Sequence, residues 1–511
     1  MLKQYFSKQT KRTQQLTAII VVLLVASIGT YLLLGSHAAT PYVSTTASSG
    51  TLANGATKQA CAGSSDGNCV VFGGQQASVP KHIETWSLDD GCSGGRGASA
   101  ALVQQWLTYA DANCGSSGDG KIFSDCVSGT TVYCKTIQYL DTGVIYYTAG
   151  SSSGQWPQYN AASVGAPNDD WFIHAASASG SNLNASTRLV NPNFSGGYWD
   201  NIANPAVQSF YQNYVRTNFP NEYGLRMDDV GMGVDAEWYA AAGSPKTSHE
   251  ITTNAQLEAA QQALAAKMTH SDGTPYILID NGDNANPYLT SNLPLLNNPA
   301  SVVGMIMEGA PWYKGILPDW EYQTLLDNMA YIDHTANDFQ VLLSYDSNGA
   351  LQGRRVQAAT ILLGYSPGHT VDWAALEGNS YNLTVWPEEG IYPTNPVQTM
   401  GAPSGTGCFA GTGAECPTGG HNDIQVATGV YRREFGQCYN QGTAFGPCAV
   451  IVNDSSSSVT VPSSWLTQSY GHQITMVGGD VQSGGTVNLA GASFSPGSTS
   501  VASGDAIMLA P

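Results

Sequence analysis

At 511 residues the chain is long enough for one large domain and a smaller one. Nineteen lysines and arginines stand against 38 acids, a net charge of -19, so the basic surface that nucleic-acid binding needs is absent. Fifty-seven glycines, 11 tryptophans and 26 tyrosines in a Ser-, Thr- and Asn-rich chain suit a carbohydrate partner, whose C–H faces stack on aromatic rings; most of those rings still serve to fill a core.

The first segment is a targeting signal. Lys3, Lys8, Lys11 and Arg12 precede an apolar run over residues 18–35, with small residues at Ser36, Ala38 and Ala39. Residues 1–39 therefore read as a signal peptide or an N-terminal membrane anchor, the length of the run favouring an anchor. Either way the rest of the chain is expected outside the cytoplasm, touching the membrane through this segment only. Residues 40–80 read as a Ser/Thr/Gly-rich linker.

From residue 81 strand-like runs alternate with helical patterns. The expected strands are His82–Trp86, Thr136–Thr142, Trp171–His174, Tyr223–Asp228, Tyr276–Asn281, Val302–Glu308, Gln340–Asp346 and Thr370–Ala374. Helices are expected over Ala98–Asn113, Asn204–Phe219, Asn254–Met268, Asp319–His334 and Gly353–Gly364. Eight strands in this alternation predict an α/β fold, a (β/α)8 TIM barrel over residues 81–425, with no G-x-G-x-x-G or P-loop to favour a nucleotide-binding sheet. Short alternating strands from 426 to 511 predict a small all-β sandwich.

Ten cysteines lie beyond the apolar run, in close neighbours: Cys61/Cys69, Cys92/Cys114, Cys126/Cys134, Cys408/Cys416 and Cys438/Cys448. These read as local disulfides in an oxidising compartment. No cysteine or histidine grouping has zinc spacing, and no metal or cofactor is expected.

Two strands end on acids. Tyr223-Gly-Leu-Arg-Met-Asp228 runs into Asp229, and Val302-Val-Gly-Met-Ile-Met-Glu308 stops on Glu308. Glycoside hydrolysis needs two carboxyl groups, one to protonate the leaving oxygen and one to attack the sugar or activate water. Barrel enzymes mount such groups at strand carboxyl ends. Asp228 is assigned as nucleophile or base and Glu308 as general acid; Asp229 replaces Asp228 if the strand runs one residue longer. Substrate-binding groups are expected at Trp86, Asp141, His174, Asn281, Asp283, Trp312, Tyr345 and Asp346, with Asp229 beside them. Two G-x-S-x-G matches, at Gly91 and Gly150, lack the strand–turn–helix context of a nucleophile elbow. The rival expectation is a non-catalytic carbohydrate-binding or adhesion protein on the same scaffold.

Tyr223-Gly-Leu-Arg-Met-Asp228-Asp229-Val230 resembles the Y-D-G-V-F-L-D-D/N-V signature of glycosyl-hydrolase-like TIM-barrel families and their polygalactosaminidase- and α-galactosidase-like relatives. Trp171-Phe-Ile-His174 and Asn204-Pro205-Ala-Val207 resemble the strand and helix start that precede it there. The tail, from Tyr431-Arg-Arg-Glu-Phe435 to Ala506-Ile-Met-Leu509, is similar to the β-sandwich that closes such enzymes. The resemblance covers about residues 81–511. It implies a glycosidase in which Asp228 takes the place of the strand-four aspartate; Glu308 matches by position only. Two departures stand out: Arg226 occupies an apolar or aromatic position of the signature, and Tyr223 directly precedes Gly224.

Overall fold

The computed structural model describes residues 57–60, 68–71, 85–88, 112–115, 127–128, 131–132, 135–146, 170–175, 178, 183–184, 186–190, 197–220, 222, 224–228, 251–281, 303–313, 315–335, 338–345, 351–366, 369–373, 386–406, 408, 416–479 and 484–511. Two compact units divide the chain, residues 1–79 and 80–511. In the first, Thr57–Ala60 pairs antiparallel with Asn68–Val71. The apolar run 18–35 lies outside the described residues. Among the described residues no helix is long and apolar enough to cross a membrane.

The second unit mixes a parallel and an antiparallel sheet. Eight parallel strands follow one another: β1 (Thr85–Leu88), β2 (Ala112–Gly115), β3 (Lys135–Asp141), β4 (Gly224–Asp228), β5 (Ile277–Asn281), β6 (Val303–Tyr313), β7 (Phe339–Tyr345) and β8 (Thr370–Trp373). Each pairs with the next, and β8 pairs with β1, so the pairings close into a circuit. Seven of these strands coincide with expected ones, although β6 does not stop at Glu308 as expected but runs on to Tyr313. The expected strand Trp171–His174 does not join the circuit; β2 takes the place, and residues 112–113, expected at a helix end, are strand. Trp171–His174 misleads because it is apolar for another reason. Phe172 and Ile173 are fully buried but make antiparallel bridges, Phe172 with Asp200 and His174 with Arg188, in an insertion between β3 and β4. The strand β2, Ala-Asn-Cys-Gly, carries no apolar run to betray it.

Four α-helices are among the described residues: α1 (Pro205–Asn218), α2 (Asn254–Lys267), α3 (Asp319–Asp333) and α4 (Leu351–Gly364). Asn204 caps α1, its side chain accepting from the Ala206 N–H at 2.9 Å, while Pro205 occupies a position where no N–H is needed. Thr253 caps α2 through the Gln256 N–H at 3.3 Å. Val207, Tyr211 and Val215 of α1 and Leu264 of α2 form one core with Leu140, Leu225, Met227, Leu278 and Met305 of the strands.

The antiparallel sheet contains β9 (Ile391–Pro396), β10 (Gln425–Ala427), β11 (Val430–Asn440), β12 (Thr443–Asn453), β13 (His472–Val477), β14 (Thr486–Asn488) and β15 (Asp505–Ala510). The order is β9-β11-β12-β15-β13-β14, with β10 beside β11. It takes in Ile391–Pro396, ahead of the boundary expected at 426. Strand alternation splits its residues between two cores. Val450, Val452, Ala506 and Met508 meet Tyr322, Leu325 and Met329 of α3 and Val356 and Leu363 of α4. Ala449, Ile451, Ile507 and Leu509 face Val461, Tyr470, Phe494 and Val501. The connector between β9 and β10 is held by the Cys408–Cys416 disulfide and by His421. His421 lies against buried Asp327 of α3, with its backbone N–H donating at 2.8 Å and Nδ1 2.9 Å from Oδ1. The Cys438–Cys448 disulfide joins β11 to β12. Both bridges are the expected local pairs. Cys61, Cys92, Cys126 and Cys134 lie outside the described residues, and with them the other three expected pairs.

Candidate functional site

Which positions face the inside of the circuit follows from which face the helices. Leu225 and Met227 lie in the core shared with α1 and α2, and so do their register partners Leu278 and Leu140. The alternate positions of each strand therefore form the inner set. On β4 these include Gly224 and Arg226, and Asp228 ends the strand. Register carries the set to the neighbours: Asp228 is level with Asp141 on β3 and Asn281 on β5. Asn281 is level with Ile306 on β6, and Glu308 stands two residues further along that strand. Met307 belongs to the helix-side core, and Glu308 is level with Leu343 on β7, after which the register shifts.

Four of the expected site residues thus end their strands, Asp141 on β3, Asp228 on β4, Asn281 on β5 and Tyr345 on β7, while Glu308 stands within β6, which runs on to Tyr313. Tyr345 ends β7, level with Tyr313. Trp86 on β1 is level with Trp373, which ends β8. Asp141 ends the third strand of the circuit rather than the second. Neighbouring strands lie roughly 4.8 Å apart, so Asp141 and Asn281 flank Asp228 directly, while Glu308 is two strands away.

Two expected binding residues stand elsewhere. His174 is fully buried in the insertion, bridged to Arg188, and does not end a strand of the circuit. Trp312 is buried in the core with Leu317, Tyr322 and Leu325, so its ring serves packing. Asp229, Asp283 and Asp346 lie outside the described residues.

One residue of the site went unassigned in the sequence. Arg226 is 6% exposed and sits one inner rank below Asp228, level with Tyr139 and Ile279. A guanidinium is almost never buried without a counter-charge. Asp141 and Asp228 stand two residues further along β3 and β4. The signal was present: an arginine between Leu225 and Met227, both helix-facing, has to occupy the opposite face.

The insertion after β3 starts at the same rim. Val144–Tyr146 pairs antiparallel with Gly197–Trp199, three residues beyond Asp141. It is knitted to α1 by the Tyr211 hydroxyl donating to Asp200 Oδ2 at 2.6 Å and by the Asn201 and Asn204 amides donating to the Asp170 carbonyl. Arg188 stacks over Phe172, 3.7 Å from the ring centroid. The rim around Asp141 is therefore built on a cross-braced wall.

No family model matches the chain, and no curated protein does. Solved structures similar to it include the galactosidase domain of an α-galactosidase–sucrose kinase, 7% identical over 84% of this chain and 54% of that one, with a TM-score of 0.38. A dextranase from Flavobacterium johnsoniae is 10% identical over 85% of this chain and 52% of that one, TM-score 0.37. A cyclic α-maltosyl-(1→6)-maltose hydrolase from Arthrobacter globiformis is 8% identical over 85% and 99%, TM-score 0.35. The chain spans about half the length of the first two. At these scores the likeness is a general one, and no residue role follows from it.

Proposed function

We propose that the parallel strands and their helices form a (β/α)8 glycoside hydrolase barrel, closed by a C-terminal β-sandwich. In this reading the enzyme works outside the cytoplasm and cleaves the glycosidic bonds of a poly- or oligosaccharide. The observation that carries the reading is the inner rank Asp141–Asp228–Asn281 with Glu308 two residues beyond it. Asp141, Asp228 and Asn281 end three consecutive strands and Glu308 lies within the next, an order that suits a two-carboxylate hydrolysis. The two disulfides and the acidic, hydroxyl-rich composition support an extracytoplasmic setting.

Asp228 is the nucleophile or base and Glu308 the general acid. Asp141 and Asn281 accept and donate to sugar hydroxyls beside the cleaved bond, and Trp86, Tyr345 and the rim acids Asp229, Asp283 and Asp346 complete the cleft.

The test is hydrolysis of a panel of polysaccharides and aryl glycosides by residues 40–511. Asp228→Asn and Glu308→Gln should each lower kcat by about 10^3-fold with an unchanged circular-dichroism spectrum. Cleavage surviving Asp228→Asn moves the base to Asp229 or Asp141. Glycan binding without cleavage by the unaltered protein would establish the non-catalytic reading instead.

A further inference from the structure

A second feature of the same rim lies outside the acidic rank. Arg354, in the first turn of α4, is 4% exposed, and Glu388 is 5% exposed. The guanidinium grips the carboxylate at both ends, Nε donating to Oε1 at 2.7 Å and Nη2 to Oε2 at 2.5 Å, and Nη1 donates to the Gly478 carbonyl at 3.3 Å. Its Cζ lies 3.9 Å from the ring centroid of Trp386, which is half-buried.

The chain path places this group. The helix α4 begins at Leu351, shortly after β7 ends at Tyr345, so its first turn lies on the carboxyl side of the strands. Trp386 belongs to the connection that leaves the carboxyl end of β8 at Trp373. These are the two strands that follow β6, the strand of Glu308, around the circuit.

A buried ion pair is a poor way to gain stability, because desolvation offsets most of the attraction. It is a good way to fix a plane. The two-pronged grip of Glu388 leaves the guanidinium one orientation, and stacking passes that orientation to the indole. A tryptophan fixed in this way, half open on a rim, offers a rigid apolar face with little conformational entropy left to lose on binding.

We propose that Trp386 is a sugar-stacking platform, an outer subsite for a pyranose unit remote from the cleaved bond, with Arg354 and Glu388 as its positioning residues. The proposal rests on the carbohydrate reading of the rim given above. Such a platform acts on long substrates and leaves the chemical step alone. The substrate chain would run from Glu308 on β6 past the ends of β7 and β8.

Retention in gels containing soluble starch, dextran or chitosan tests it, with the full chain carrying Asp228→Asn as background. Trp386→Ala should weaken retention by about tenfold on the retaining polymer, Trp386→Phe by much less, and Arg354→Lys by an intermediate amount. In the active protein Trp386→Ala should raise KM on that polymer without lowering kcat on a short aryl glycoside. Unchanged retention by Trp386→Ala, with or without a lower Tm, would overturn the proposal and leave the indole as a cover for the ion pair. Lack of retention by any of the polymers would overturn it too. Trp386-dependent retention without any cleavage supports the platform while sinking the hydrolase reading. Asp228-dependent cleavage with retention indifferent to Trp386 does the reverse.

Discussion

Tyr276 shows how much one hydroxyl can control. It is 1% exposed, opens the run into β5, and donates to the Phe219 carbonyl at 2.8 Å, tying that strand to the end of α1. Burial, helped by the nearby charge of Glu222, pushes its pKa from 10.0 up to about 12. The fold therefore favours the neutral phenol. Its contribution is fully present below pH 10 and is lost as the pH rises from 10 towards 12, a loss of about 2–3 kcal/mol for a shift of this size. Tyr276→Phe should cost about 1 kcal/mol at neutral pH by removing the hydrogen bond, yet decline less than the parent between pH 10 and pH 12. Urea midpoints on both sides of pH 10 measure this; parallel declines in the two proteins would show that another group governs the alkaline limit. Arg226 makes the complementary point about charge. Its place in the circuit was legible from Leu225 and Met227, but its burial was not, because burial depends on what β3 and β5 bring to the same rank.

Among the elements, β6 and β7 show how the inside of the circuit is filled. Gly304 is level with Phe339, and a Cβ added to Gly304 would overlap that ring. The pair alternates nothing with something large, the way a tapering interior packs. Gly304→Ala should destabilise by roughly 1–3 kcal/mol. Phe339→Leu, harmful alone, should recover part of that loss in the double variant, and additive losses in a double-mutant cycle would exclude the contact as the cause. Elements with a clear helical or strand signal were readable from the sequence to within a few residues. Thus Pro205 and Asn204 announced the start of α1, and the acid-ended run announced β4, whereas β6 runs past Glu308 to Tyr313. Two elements were not readable. The four residues of β2 are a strand only because β1 and β3 supply partners on either side. Trp171–His174 looked like a strand of the circuit because an apolar run records burial but not what buries it. Trp312 followed the same rule: it lies inside β6, which runs past the expected end, and it serves the core. The Arg354–Glu388 pair joins residues too far apart in sequence for any local pattern to link them.

At the scale of the whole unit, α3 and α4 are shared property. One side of each meets the parallel strands and the other meets the antiparallel sheet within a single core. The start of α4 is fastened to the start of β15, where Arg355 pairs with Asp505 at 2.7 Å and the Gln352 amide donates to the Gly504 carbonyl at 2.9 Å. Deleting residues 386–511 should therefore leave the remainder without cooperative unfolding and able to bind a hydrophobic dye, because the apolar sides of α3 and α4 lose their cover. A sharp thermal transition in the shortened protein would show the two sheets to be independent. A consequence for biosynthesis follows from the position of β15, which lies between β12 and β13 in the sheet although it is made after both. As the chain emerges from the ribosome, β13 and β14 have no edge to join until residues 505–510 appear. The cover for α3 and α4 is then completed in one late step, and a nascent chain stalled before that point presents a sticky helical face to whatever chaperone receives it.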